Sequence, residues 1–92
     1  MAMDPRSDVE LLEFPCRFPV KVMGANDADF REHARALVEA HAGPVPADRI
    51  ESRTSRNGRF LSVTLHVQAQ SREQLDAIYT ALTSSSRVLM AL

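Results

Sequence analysis

The residues best suited to chemistry in this chain of 92 are its cations. Arg49, Arg53, Arg56 and Arg59 crowd into one stretch that only Glu51 opposes. Guanidinium groups so placed can clamp phosphate or carboxylate oxygens through paired hydrogen bonds. The same charges on an edge strand keep sheets from joining edge to edge, so this basic hairpin patch carries two readings. His33, His41 and His66 are potential metal ligands, yet none forms a close HxH or HxxxH pair, and no metal is expected. Cys16, the only cysteine, lies between Pro15 and Pro19 without a neighbouring histidine or second thiol, and reads as a small apolar side chain. No nucleophile with its base, no carboxylate pair and no phosphate-gripping glycine loop stands out. The chain therefore reads as non-catalytic, with no cofactor implied.

Composition narrows the field further. An apolar share of 45% and a charged share of 25% belong to a folded domain rather than a disordered segment. The formal charge of -1 lacks the footprint of a dedicated nucleic-acid binder, and single-stranded nucleic acid is disfavoured as a partner. No run reaches the roughly 18 apolar residues of a membrane span, and "MAMDPRSDVE" has no apolar core like that of a secretory signal. With a single cysteine, these features predict a cytoplasmic protein that does not associate with membranes.

The elements that must position the cations follow from periodicity. Residues 1–10 are polar and aperiodic, and are expected as a flexible tail before one domain over residues 11–92. In "FPVKVMG", Phe18, Val20 and Val22 alternate with Pro19, Lys21 and Met23, the period of a strand with one buried face, and Gly24 should end it. "NDADFREHARALVEAHAGP" predicts a helix capped by Asn26, with Phe30, Ala34, Leu37, Val38 and His41 at helical spacing and Gly43-Pro44 as the stop. "RIESRTSRNGRFLSVTLHVQ" predicts a hairpin turning at Asn57-Gly58. That turn sets Thr54 opposite Leu61, Ser52 opposite Val63 and Ile50 opposite Leu65.

Paired residues share a face. Leu61, Val63, Leu65, Val67 and Ile50 then point to the core, while Phe60, Ser62, Thr64, His66, Gln68, Glu51 and Arg53 point away. "SREQLDAIYTALTSSS" opens with the capping box Ser71 and Gln74 and puts Leu75, Ile78, Tyr79 and Leu82 on one stripe. "RVLMAL" predicts a last strand with Val88, Met90 and Leu92 on one side and Leu89 and Ala91 on the other. The order βαββαβ matches the ferredoxin-like α+β sandwich, an antiparallel sheet in spatial order 4-1-3-2 with both helices on one face. Its other sheet face is either wet or covered by a partner.

Two surfaces emerge as candidate ligand or partner sites. One is the open sheet face around Lys21, Met23, Phe60, Thr64 and His66. Lys21 is the point of interest, because lysine is depleted in central strands, although an open face tolerates it as a solvated or interstrand-paired group. The other is the turn from Gly24 to Asn26, where a glycine lets backbone approach a ligand closely and where any strand-to-helix connection equally needs one. RNA-recognition motifs share this topology, but they stack bases on aromatic residues, and here Phe60 stands alone with Ser62 and Thr64 beside it.

"LLEFPCRFPVKVMG", an "NG" hairpin, "LSVTLHV" and "VLMAL" together resemble the YbeD family of small bacterial proteins. The most specific element is Glu13-Phe14-Pro15 followed by Phe18 to Gly24. The resemblance implies a fold related to the ACT regulatory domains, which bind amino acids at interfaces between copies. It implies a regulatory role, with lipoate metabolism associated with the family's prototype, and a homodimer sensing a small metabolite. Leu89 departs from the family pattern, where a basic residue is common. In the metabolite reading Gly24→Val abolishes ligand binding while sparing the fold; in the alternative, a protein-interaction module uses the open sheet face.

Overall fold

A computed structural model describes residues 12–92, so the tail predicted over residues 1–10 lies outside the described residues. The elements run β1 (Cys16–Ala25), α1 (Phe30–Ala42), a single 3-10 turn (Ala47–Arg49), β2 (Ile50–Thr54), β3 (Phe60–Ala69), α2 (Arg72–Thr83) and β4 (Val88–Ala91). The strands form one antiparallel sheet ordered β2-β3-β1-β4, which is the predicted 4-1-3-2 read from its other edge. This is the α+β, ferredoxin-like sandwich that the periodicity predicts.

The two ten-residue strands β1 and β3 make the centre, in register from Cys16 opposite Ala69 to Ala25 opposite Phe60. Pro19 does not break this ladder. The Lys21 N–H donates to Leu92 O on the β4 side, and two residues earlier Pro19 turns its missing donor to that same side, before β4 pairing begins. Alternation then drives Val20, Val22, Val63, Leu65 and Val67 into the core, where they meet Phe30, Ala34 and Val38 of α1 and Leu75, Ile78 and Leu82 of α2. Phe18, predicted as core, is only half-buried and packs edge-on against Tyr79, with ring centroids 6.5 Å apart.

Several local expectations are corrected. β1 starts two residues before Phe18 and runs through Gly24 to Ala25, because β3 is long enough to pair with both ends. The hairpin keeps its predicted register, but the β-turn spans Ser55 to Gly58, whose N–H donates to Ser55 O at 2.9 Å, and Gly58 alone of the pair has a positive φ. Asn26 does not cap α1. Its side chain donates to Gly58 O and its N–H to Arg59 O, which ties the β1–α1 turn to the hairpin. Ser71 does cap α2, accepting from the Gln74 N–H at 3.1 Å. Gln74 reaches back to the Gln70 N–H rather than to Ser71, and also donates to His41 O at the end of α1.

The last strand is the largest difference from expectation. Met23 pairs with Met90 and Gly24 with Val88, so the ladder skips Leu89. This bulge shifts the side-chain alternation by one. Val88 and Ala91 therefore pack against the core together, Met90 and Leu92 are exposed, and the predicted grouping of Val88 with Met90 and Leu92 fails.

Gly24 is required by packing rather than by backbone freedom. It is buried, and a Cβ built there would run into the Phe30 ring and come within 2.6 Å of Arg87 O. Gly24→Val thus destabilises the fold, contrary to the sequence expectation that it would spare it. It should cost about 3 kcal/mol through overpacking. Urea unfolding followed by circular dichroism measures this, and an unchanged midpoint would mean that Phe30 moves aside freely.

Candidate functional site: the open sheet face

The alternation that fills the core also presents the opposite set of side chains. Pairing lays Glu51, Thr64 and Lys21 in one row from β2 to β1, with Leu92 bonded to Lys21 beyond them. The next row is Arg53, Ser62, Met23 and Met90. On the other side of the Lys21 row, Pro19 faces His66, and Phe60 lies at the hairpin end opposite Ala25. A shallow depression is lined by Lys21, Glu51, Arg53, Ser62, Thr64 and His66, and a second by Lys21, Met23, Met90 and Leu92. His66 Nε2 lies 3.7 Å from Glu51 Oε2, so the one acid that lines the first depression leans toward the histidine rather than a permanent cation.

The structure thus joins Lys21, Met23, Thr64 and His66 on one surface, with Phe60 at its margin. It does not join Gly24 or Asn26 to them. Gly24 faces the helices beneath Phe30, and Asn26 is held by the hairpin.

Charge pairing separates the two layers of the molecule. Arg31 and Arg35 bind Glu32, Arg35 also reaches Glu39, Arg72 approaches Asp76, and Arg87 binds Asp29. These pairs belong to the helices and their loops. Arg17 and Lys21 on β1, Arg53 on β2, Arg56 and Arg59 in the hairpin, and Arg49 before β2 have no ion pair among the described residues. Among the described residues, the cations without an ion-pair partner thus lie in the sheet layer. Apolar exposure falls in the same layer, since Met90, Leu92, Leu89 and Phe60 are 50%, 57%, 60% and 38% exposed.

A second constellation was not foreseen from the sequence. Arg87 grips Asp29 with two hydrogen bonds, Nη1 to Oδ2 at 3.2 Å and Nη2 to Oδ1 at 2.7 Å, lies 3.8 Å from Asp27, and sits 5.9 Å over the Phe30 ring. The Ser85 hydroxyl accepts the Arg87 N–H and meets His33 Nε2 at 2.9 Å. The signal was topological: β1 and β4 are antiparallel neighbours, so the acidic "NDAD" after one must meet the "SSSR" before the other. A serine beside an imidazole can serve nucleophilic catalysis when a third group orients the base. Here Asp29 is engaged by Arg87 instead, and Ser85 is held by the Arg87 backbone. The cluster fastens two loops. Elsewhere, burial pushes the Tyr79 hydroxyl up to about 12, Cys16 is half-buried, and no group of three or more His, Cys, Asp or Glu among the described residues is placed to hold a metal. No helix there is long and apolar enough to cross a membrane.

The fold and this face define a small ferredoxin-like domain with one sheet surface left uncovered by its own helices. The chain belongs to the family described as "Protein of unknown function (DUF493)", whose model matches residues 9–92. It is 40% identical over 86 residues to the UPF0250 protein NE1487 of Nitrosomonas europaea, spanning 94% of this chain and 99% of that protein. To the UPF0250 protein of Paraburkholderia phytofirmans it is 44% identical over 82 residues, 89% of this chain and 92% of the other. These relatives support the YbeD-like resemblance drawn from "EFP" and "FPVKVMG". The solution structure of protein HP0495 from H. pylori superposes with a TM-score of 0.71 over 88% of this chain and 85% of that one; at 20% identity it shares the fold.

The Arg87 hydrogen bond and charge hold the Asp29 carboxyl below its ordinary value of 3.8. A depressed folded-state value means that stability from this pair is complete above the ordinary value and disappears as pH falls through the folded one. Asp29→Asn should therefore lower the thermal midpoint at neutral pH, and the gap to the parent should close as pH drops below 3.8. Parallel melts across that range check it; a gap independent of pH would refute the assignment.

Proposed function

We propose that this protein works by binding, without catalysis, and that its open sheet face is the binding surface. The observation that carries the reading is the coincidence of unpaired cations with exposed Met90 and Leu92 on one face. Helix-layer cations are neutralised within the chain, whereas Lys21 and Arg53 keep their hydrogen-bonding capacity for something else. Exposed methionine adapts to varied apolar partners.

The ACT-like reading, in which a metabolite sits at the β1–α1 turn of a dimer, has less support from this geometry. The buried Gly24 has Phe30 against it, which fills the position where a ligand would approach the backbone. A protein-interaction role fits better, and Cys16 as a single half-buried thiol suits a cytoplasmic setting. Regulation, including the link to lipoate metabolism implied by the family resemblance, would operate through what the face binds.

Native mass spectrometry of protein purified from its own bacterium tests this reading. The parent should retain an added mass, and Lys21→Glu should lose it while melting at the parent's temperature, with affinity reduced about tenfold or more, some 1.4 kcal/mol. A Lys21→Glu protein that keeps the whole complex would count decisively against the open face.

A further inference from the structure

The open face has a basic half and an apolar half, and together they describe their occupant. In the basic half Lys21 on β1 and Arg53 on β2 flank two hydroxyls of β3, since Lys21 pairs with Thr64 and Arg53 with Ser62. Two cations around two hydroxyls suit carboxylate oxygens, which accept charge-assisted hydrogen bonds from both kinds of donor. Next to them Met23, Met90 and Leu92 supply the apolar half.

The sheet edges favour an occupant that lies across the face rather than beside it. β4 has four residues and a bulge at Leu89, and β2 presents Glu51 and Arg53, features that discourage strand addition. An extended segment laid on the face would leave its own backbone groups unpaired, whereas a helix brings its hydrogen bonds with it. Two open faces packed together would present the same unpaired cations from both sides, with Glu51 the one acid that lines the depression on each. Single-stranded nucleic acid needs adjacent stacking platforms on the central strands, where Phe60 and His66 are held apart by Ser62 and Thr64 and face Ala25 and Pro19.

We propose that the open face docks an amphipathic helix of a partner protein, its apolar stripe on Met23, Met90 and Leu92 and its flanking Asp or Glu side chains on Lys21 and Arg53. This rests on the binding role proposed above and adds the chemistry of the partner. Ser62 and Thr64 complete the hydrogen bonds of the bound carboxylates, and His66, drawn toward Glu51, leaves Lys21 and Arg53 free to meet them.

The test places the photoreactive residue p-benzoylphenylalanine at Met90 in the full chain, expressed in its own bacterium, with Ala36 on the exposed surface of α1 as the control position. Adducts are sequenced, and the captured segment is made as a synthetic peptide for anisotropy titrations. The expected segment has apolar residues at helical spacing flanked by acids, and binds the full chain at least tenfold more weakly after Lys21→Glu or Arg53→Glu, with Lys21→Arg retaining affinity and unchanged melts showing that each variant folds. A segment without acids or without helical spacing overturns the proposal, as does affinity indifferent to these substitutions. Adducts with a second copy or with nucleic acid overturn it while leaving the face as a binding surface. No adduct beyond the Ala36 control also overturns it; if native mass spectrometry then shows no retained mass, the broader binding reading falls with it.

Discussion

The structure depends on the period of two shared by β1 and β3. Because Val20 and Val22 face the same way as Val63, Leu65 and Val67, the centre of the sheet has one apolar side, and α1 and α2 must both dock there. Each helix buries a stripe of its own against that side, Phe30, Ala34 and Val38 from one and Leu75, Ile78 and Leu82 from the other. Once the helices are committed to one face, every residue of the opposite parity is left outside. The position of Lys21 beside Thr64 is thus a by-product of the same alternation that builds the core.

This is why so much of the fold was legible in the sequence. Strand parity, helical stripes and the Asn57-Gly58 turn are local patterns, and the order of elements then restricts the topology. The register of the hairpin followed from its turn, and with it the set of side chains on the open face. What escaped was set by contacts between distant segments. Asn26 looked like a cap because its neighbours resemble a helix start, yet the hairpin offers Gly58 O and wins the side chain. The bulge at Leu89 follows from fitting β4 against β1, and nothing in "RVLMAL" alone reveals a skipped residue. Arg87 and Asp29 lie far apart in sequence and meet only because two loops share an end of the sheet.

Gly24 shows how one residue type serves different needs. In a strand-to-helix turn glycine commonly signals freedom of backbone or room for a ligand. Here its lack of a side chain admits the Phe30 ring, which carries the Arg87 guanidinium above it and so connects the core to the Asp29 pair. The glycine of that turn joins the core to a loop pair, while the open sheet face, the other surface singled out from the sequence, carries cations without an ion-pair partner among the described residues.

The separation of paired from unpaired charge between the two layers has a consequence for motion through solution. On the sheet side the cations have no ion-pair partner among the described residues, while on the helix side arginines and carboxylates offset one another, so the positive field of these residues emerges from the sheet side. Within the roughly 8 Å over which such a field survives at physiological ionic strength, it turns the molecule before contact, sheet side toward negative potential. An acidic surface that approaches this side would be pre-oriented in the same way, at a rate that falls as salt rises.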